Sequence, residues 1–200
     1  MKQPFGAARS DLWTAVVISV VVIVGTIVDA VSRIAEILPN RDVPVEVYLD
    51  AQRQDVAIPG VGERIPVELD HVTVRVSDLP PASLAAALGA VIVPACAVIA
   101  VMLCISWFCR NLASGQFFSR TNTRLVTATS FVILGGWLIS SIATTMASNG
   151  ALARLSPEAA DVAVSMQFSF LYLFVAIIVG CLGAAFHAGE RLQRETAGLV

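Results

Sequence analysis

Hydrophobic positions in this chain gather into four long runs, and polar positions gather into the segments between them. A helix needs roughly 20 residues to cross a hydrocarbon core about 30 Å thick, because it rises about 1.5 Å per residue. Each run is long enough, so the pattern predicts an α-helical integral membrane protein with four transmembrane helices. The predicted helices cover residues 12–37, 83–109, 125–148 and 162–187.

The segment between the first two predicted helices, residues 38–82, has a different pattern. Apolar and polar residues alternate from Val43 to Leu49, which is typical of a half-buried strand. A second short strand is predicted to begin at Val56, ahead of a turn rich in glycine and proline. The sequence therefore predicts a small β subdomain between helices 1 and 2.

Further along this segment the alternation changes parity. Apolar residues stand at odd positions from Ile65 to Leu69 and at even positions from Val72 to Val76. A strand cannot change its buried face without an irregularity, so a bulge or break is expected at Asp70 and His71. The segment is too small to bury a core alone, and we expect it to rest on the membrane or on a second copy of the chain.

Composition supports a lipid environment and excludes one large class of function. The chain is 56% hydrophobic and 14% charged, whereas soluble domains carry about 25% charged residues. Its formal net charge of -2 leaves no basic face for binding nucleic acid. The expected partner is therefore the lipid bilayer, with no nucleic acid.

The distribution of arginine predicts the orientation. The loop of residues 110–124 holds three arginines and no acid, whereas residues 29–83 hold five arginines against ten acids. Positive charge favours the cytoplasmic side, so both termini and the 110–124 loop are expected there. Twelve arginines against one lysine favour a bacterial source, hence a multi-pass protein of the bacterial inner membrane. The predicted connecting segments are the cytoplasmic tails 1–11 and 188–200, the cytoplasmic loop 110–124, and the extracytoplasmic segments 38–82 and 149–161.

The first apolar run allows a second interpretation, a cleaved signal peptide. Seventeen uncharged residues, Leu12 to Val28, exceed the usual 7–15-residue signal core, so an uncleaved anchor is expected. Asp29 follows this run and shares a helix face with Arg33 and Glu36. The three charges predict either a helix end emerging into water or, for Asp29, an intramembrane carboxylate that marks an ion path.

Polar groups within the predicted helices could serve packing or line a cavity. Helices 3 and 4 carry small residues and hydroxyls, which favour close helix packing. Gln167 and Tyr172 would be the polar groups of a cavity. The sequence shows no catalytic or metal signature. Only His187 and Glu190, three residues apart, come close to an acid–base pair. We expect no enzyme activity, no cofactor and no metal.

Two short segments resemble a bacterial family known as domain of unknown function 2975. The first matches a G-x-x-F-[ST]-x-x-N-x-x-L type of pattern in the 110–124 loop, and the second an F-x-x-G-x-x-L unit near the C-terminus. The matching residues are Gly115, Phe118, Asn122, Arg124 and Leu125, then Phe186, Gly189 and Leu192. The resemblance implies a four-helix membrane protein in which these residues serve structure or partner binding. The residues themselves predict that Gly115 permits a turn and that Asn122 caps the third helix.

Together these features favour a non-enzymatic membrane protein that acts through protein–protein contacts as a sensing, regulatory or accessory subunit. The expected partner is a membrane protein or another copy of the chain, since unpaired strand edges suit such association. A small transporter or oligomeric channel component is an alternative, as is an immunity protein against a membrane toxin.

Overall fold

The structure, a computed structural model, describes residues 5–57, 64–116, 118–155 and 169–197. Helices and strands follow one another in the order expected from the sequence pattern. They are α1 (Phe5–Ile37), β1 (Val43–Ala57), β2 (Arg64–Val76), α2 (Pro81–Ala113), α3 (Arg120–Leu155) and α4 (Phe170–Ala197).

Four helices among the described residues are long and apolar enough to cross a membrane. The apolar spans lie within these helices at Leu12–Ile37, Pro81–Ala113, Arg120–Leu155 and Phe170–Leu192. The chain is therefore mostly helical, with a small sheet between the first two helices. The helix ends differ from the ends of the hydrophobic runs because capping residues and polar helix formers, rather than hydrophobicity, decide where a helix stops.

The differences are largest for α3 and α4. Helix α3 continues through polar residues at both ends and spans Arg120–Leu155, longer than the expected 125–148. Helix α4 begins at Phe170, whereas the predicted start at residue 162 lies outside the described residues.

Strands β1 and β2 form one two-stranded antiparallel hairpin. The expected separation of residues 43–57 into two strands is wrong, because β1 continues through Ala57. The register shifts between the pairs Tyr48–His71 and Gln52–Leu69, so three residues of β1 face one residue of β2. This bulge lies at the predicted parity change and lets a single strand continue past it.

The described residues divide into two compact units, each with its own packing. The motif unit comprises Met1–Ala30, Val93–Leu138 and Ser169–Val200. The hairpin unit comprises Val31–Ile92 and Ile139–Phe168.

The hairpin unit has a small hydrophobic core between the base of the sheet and three helices. Alternate residues of β1 point inward, and Val43 and Val45 are almost fully buried. They pack against alanines of α2 and α3, whose small side chains let the sheet approach the helices. The buried cluster consists of Ile37, Val43, Val45, Val76, Leu79, Ala86, Ala87, Ala147 and Ala151. The base of the hairpin thus rests on helices of its own chain, a support that the sequence did not lead us to expect.

Polar bonds fix the base of the hairpin in this position. The side-chain amide of Asn40 donates to the Leu79 carbonyl at 3.0 Å and accepts from the Leu79 amide at 2.9 Å. Asn40 has a positive φ of 53°, a conformation that asparagine tolerates better than most residues. On α3, the Ser148 hydroxyl lies 2.6 Å from the Glu46 carbonyl and 2.9 Å from the Thr144 carbonyl. Its single proton is shared between these two acceptors.

Candidate functional site

The loop that joins α2 to α3 is held by a regular helix-ending motif. The amide of Gln116 donates to the Asn111 carbonyl at 3.0 Å, and that of Gly115 to the Leu112 carbonyl at 2.9 Å. These two bonds form a Schellman motif, which requires a left-handed residue after the helix. Gly115 supplies it with a φ of 80°, and the expectation that Gly115 permits a turn is confirmed.

Helix α3 is capped by Ser119. Its hydroxyl accepts a hydrogen bond from the Asn122 amide at 3.2 Å, the usual arrangement of an N-terminal cap. The interpretation of Asn122 as the cap is wrong. Asn122 is the third residue of the helix, and its side chain reaches back to the preceding loop.

Asn122 instead connects three parts of the loop. Its side chain is fully buried, at 0% exposure. The Nδ2 atom donates to the Gln116 carbonyl at 2.6 Å, and the Oδ1 atom accepts from Asn111 Nδ2 at 2.8 Å. A buried amide is costly unless bonded in this way, so this residue joins the end of α2 and the loop to the first turn of α3.

The ring of Phe118 packs on α4. A Cβ atom built on Gly189 would lie 2.5 Å from Phe118 Cδ1 and 2.6 Å from Cε1, so only glycine leaves room for the ring. Phe118 also contacts the ring of Phe186, with 5.6 Å between centroids, and Phe186 meets Phe108 of α2 edge to face at 5.4 Å. The two family-like segments therefore touch each other through their aromatic and glycine residues.

A buried carboxylate adds polar contacts to this packing. Glu190 is only 7% exposed, and its Oε1 atom accepts from Arg120 Nε at 3.3 Å. The Thr123 hydroxyl lies 3.4 Å from Glu190 Oε2 and 3.3 Å from the Ser119 carbonyl. The carboxylate also faces the first turn of α3, where the helix dipole favours negative charge. We call this set of residues the motif cluster: Asn111, Phe118, Ser119, Arg120, Asn122, Thr123, Phe186, Gly189 and Glu190.

Sequence reasoning missed the role of Glu190, which it considered only as half of a weak acid–base pair with His187. The available signal was the acid directly after Gly189 in one segment and the arginine near Phe118 in the other. His187, the expected partner of a weak acid–base pair, is exposed on α4, whereas Glu190 is bonded to Arg120 and Thr123.

The other residues of the two segments lie at the edges of the cluster. Arg124 is exposed, Leu125 is half-buried, and Leu192 is 62% exposed.

The predicted polar positions in the helices lie apart from the cluster. Asp29 is exposed on α1. Tyr172 stacks on Trp137, with 6.3 Å between ring centroids. Gln167 lies outside the described residues.

Small residues and hydroxyls of α3 and α4 serve helix packing in the motif unit. The Ser130 hydroxyl donates to the Ala176 carbonyl at 2.7 Å. A Cβ atom at Gly183 would lie 2.9 Å from Thr127 Oγ1, and one at Gly180 would lie 3.3 Å from Ser130 Oγ. Close approach through glycine with a bond across the interface is a common way for helices to associate in lipid.

The contacts of the motif cluster position the loop between α2 and α3. Among the described residues, no group of three or more His, Cys, Asp or Glu side chains could hold a metal ion. Within the same residues, no buried side-chain polar atom lacks a hydrogen-bond partner. The cluster is a connected polar network on an aromatic base, an arrangement that fixes a loop in one conformation.

The described residues form a small, mostly helical protein with four helices long and apolar enough to cross a membrane. A hairpin packs on three of these helices, and two sequence motifs hold the loop between α2 and α3. The chain belongs to the family described as Protein of unknown function (DUF2975), whose model matches residues 46–198. This match covers more than half of the chain and includes the whole motif cluster, which confirms the resemblance. No curated protein and no solved structure matches the chain significantly.

Proposed function

We propose that this protein is a non-enzymatic subunit of the bacterial inner membrane that senses a signal or supports a complex through protein–protein contacts. Its four apolar helices would span the bilayer, with both termini and the 110–124 loop in the cytoplasm. The hairpin would face outward and present the recognition surface. The arginine distribution and the four candidate spans support this orientation.

The observation that carries the proposal is the seating of the hairpin on helix ends. The inward face of the sheet is occupied by the core around Val43, Val45 and Val76. The outward face, with Thr73 and Arg75 exposed, is free of that core. A bound partner would therefore contact a surface that is fixed to α1, α2 and α3 within the same unit. Its binding energy could then shift the conformational equilibrium of these helices.

The locked loop supports a second contact on the cytoplasmic side. Arg110 and Arg124 are exposed beside a loop whose backbone is held by Gly115 and Asn122. A loop with one conformation loses little entropy on binding, which favours recognition of a partner. This surface fits an acidic segment of a cytoplasmic protein.

The test is site-specific photo-crosslinking in cells. A photoreactive residue at Thr73 faces outward, and one at Val74, its immediate neighbour, packs toward the core. We expect a discrete crosslinked protein from position 73 and from Ile65, which is also exposed on β2, but none from position 74. The same protein should co-purify with the unmodified chain in mild detergent. Lipid adducts alone at both outward positions would contradict the proposal.

The transporter alternative makes a different prediction. It requires flux in proteoliposomes that falls when Gln167 or Tyr172 is replaced by leucine. The stacking of Tyr172 on Trp137 and the use of Ser130 in a bond between helices favour packing over cavity lining. We therefore expect no flux with either the unmodified chain or the two variants.

A further inference from the structure

A cavity of about 360 Å³ opens at the base of the hairpin, inside the hairpin unit. Its volume lies in the range of about 300–1,000 Å³ that small-molecule sites occupy. Its wall is apolar and built from small side chains of α2 and α3 with Ile37 and Val45. The wall residues of α2 and α3 are Ala87, Ala90, Val91, Thr144 and Ala147, of which only Thr144 is polar.

The cavity also has a charged rim. Arg33 and Glu36 of α1 and Glu46 of β1 line it, and all three side chains are exposed. Arg75 bonds Glu36 at 3.3 Å, and the Tyr48 hydroxyl donates to Glu46 Oε2 at 3.0 Å. The rim thus holds a guanidinium on α1 and carboxylates on α1 and β1, and Glu46 accepts a hydrogen bond from the neutral Tyr48 hydroxyl.

This combination matches one kind of ligand. A guanidinium is suited to a phosphate, because it offers several donors in a fixed plane. A carboxylate is suited to an ammonium group that can donate hydrogen bonds. An apolar wall on α2, part of the candidate span Pro81–Ala113, is suited to hydrocarbon.

We propose that this cavity binds the headgroup of a zwitterionic aminophospholipid such as phosphatidylethanolamine. Arg33 faces the phosphate, Glu46 accepts from the ammonium group, and the first carbons of the chains lie along Ala87, Ala90 and Val91. The cavity is too small for a whole lipid, so the remainder of the chains extends into the bilayer. This inference rests on the membrane insertion proposed above and is independent of any protein partner.

The experiment is lipid binding by native mass spectrometry on delipidated, detergent-solubilised protein. Phosphatidylethanolamine, phosphatidylcholine and phosphatidylglycerol are added at equal concentration. The choline lipid lacks the donor hydrogens, and the glycerol lipid lacks the cation. We expect phosphatidylethanolamine to bind at least about tenfold more tightly than either, the effect of one good charged contact.

Variants identify the site. Arg33→Gln and Glu46→Gln should each weaken phosphatidylethanolamine binding by about tenfold, and Glu46→Lys should transfer the preference to the anionic glycerol lipid. Ala90→Phe fills the cavity and should abolish binding. Arg41→Gln is the matched control, since Arg41 is exposed near the hairpin base but does not line the cavity. It should bind as the unmodified chain does.

The readout separates this inference from the proposed function. Equal binding of the three lipids, or a preference that Glu46→Lys leaves unchanged, would overturn the inference. Displacement of the lipid by soluble phosphoethanolamine at equal concentration would also overturn it, because a free headgroup would then be the better ligand. Melting temperatures of all variants without lipid show whether a loss of binding reflects a loss of folding. None of these results depends on a crosslinked partner.

Discussion

The ring of Phe118 lies so close to Gly189 that a methyl group on Gly189 would come within 2.5 Å of Phe118 Cδ1. The first residue belongs to the loop before α3 and the second to α4, so one contact joins the two segments that resemble the family. Glycine is required here by the close approach of a ring, since the residue lies in a regular helix where other residues would be more stable.

Replacement of Gly189 by alanine should therefore destabilise the protein. The new methyl group must displace the Phe118 ring, and overpacking of this kind costs about 1–3 kcal/mol. Part of this is offset by the higher helix propensity of alanine, about 1 kcal/mol. Thermal unfolding in detergent measures the net loss.

Gly135→Ala provides the control, because nothing lies within 4 Å of the Cβ position there. That variant should be unchanged or more stable. The double variant Gly189→Ala with Phe118→Leu should recover part of the loss, since the smaller side chain leaves room for the methyl group. A Gly189→Ala protein as stable as the Gly135→Ala protein would show that the ring moves away at little cost.

The buried amide of Asn122 should contribute more than the cap of α3. Asn122→Ala leaves the Gln116 carbonyl and the Asn111 amide without their described partner, and each such loss costs about 1–3 kcal/mol. Ser119→Ala removes one capping bond, which costs about 1 kcal/mol. Urea unfolding of the two variants should rank them in that order, and the reverse order would contradict the role given to Asn122.

The ion pair of Glu190 should differ from the one formed by Glu195. Glu190 is nearly buried, whereas Arg191 and Glu195 form an exposed pair four residues apart on α4 at 2.9 Å. Glu190→Ala should cost about 1–3 kcal/mol, and Glu195→Ala less than about 0.5 kcal/mol. The exposed pair should also lose its contribution in high salt. The side chain of Arg120 is 71% exposed. Equal costs for the two variants would mean that its bond to Glu190 stabilises the fold no more than an exposed ion pair does.

Hydrophobic pattern was sufficient to predict the helices and the position of the bulge. Helix spans depend on runs of apolar residues, and a change of parity has only a bulge or a break as its explanation. The single strand from Val43 to Ala57 could not be predicted, because a bulge that continues a strand and a break that ends it leave the same pattern.

The partners of individual side chains could not be predicted either. Val43 and Ala147 belong to one buried cluster although they lie 104 positions apart in the chain, and only the tertiary fold brings them together. Glu190 looked like other charges at a helix end, since burial is a property of the elements that surround a residue. Each of the two family-like segments could be detected in the sequence, but neither predicted that the two segments contact each other.

The phenol of Tyr48 should titrate above its ordinary range. Burial raises the pKa of Tyr48 above 10.0, and the hydrogen bond to Glu46 and the charge of Glu46 raise it further. The folded state therefore keeps the proton longer than the unfolded state does, and this contribution to stability is lost as pH rises past the raised pKa. Ultraviolet titration of the Tyr172→Phe protein follows Tyr48 alone, since the chain has two tyrosines.

Glu46→Gln should lower that pKa part of the way, because burial is the largest cause and remains. Glu36→Gln, which changes a carboxylate that is paired with Arg75, should leave it unchanged. A Tyr48 midpoint that Glu46→Gln does not move would contradict the bond between these two side chains.

Orientation in the membrane can be tested with two exposed positions, Ser114 in the loop after α2 and Thr73 in β2. The four native cysteines, Cys96, Cys104, Cys109 and Cys181, are first replaced by alanine. The three arginines of the 110–124 loop, with no acid beside them, favour the cytoplasm.

An impermeant thiol reagent should therefore label the Thr73→Cys protein in intact cells. It should label the Ser114→Cys protein only after the membrane is permeabilised. Labelling after permeabilisation also serves as the control that the reagent can reach this thiol. Charge reversal tests the cause: Arg110→Glu together with Arg124→Glu removes the excess of positive charge and should increase labelling of Ser114→Cys in intact cells. Labelling of the Ser114→Cys protein in intact cells without that reversal would place the arginine loop outside, and the hairpin would then face the cytoplasm.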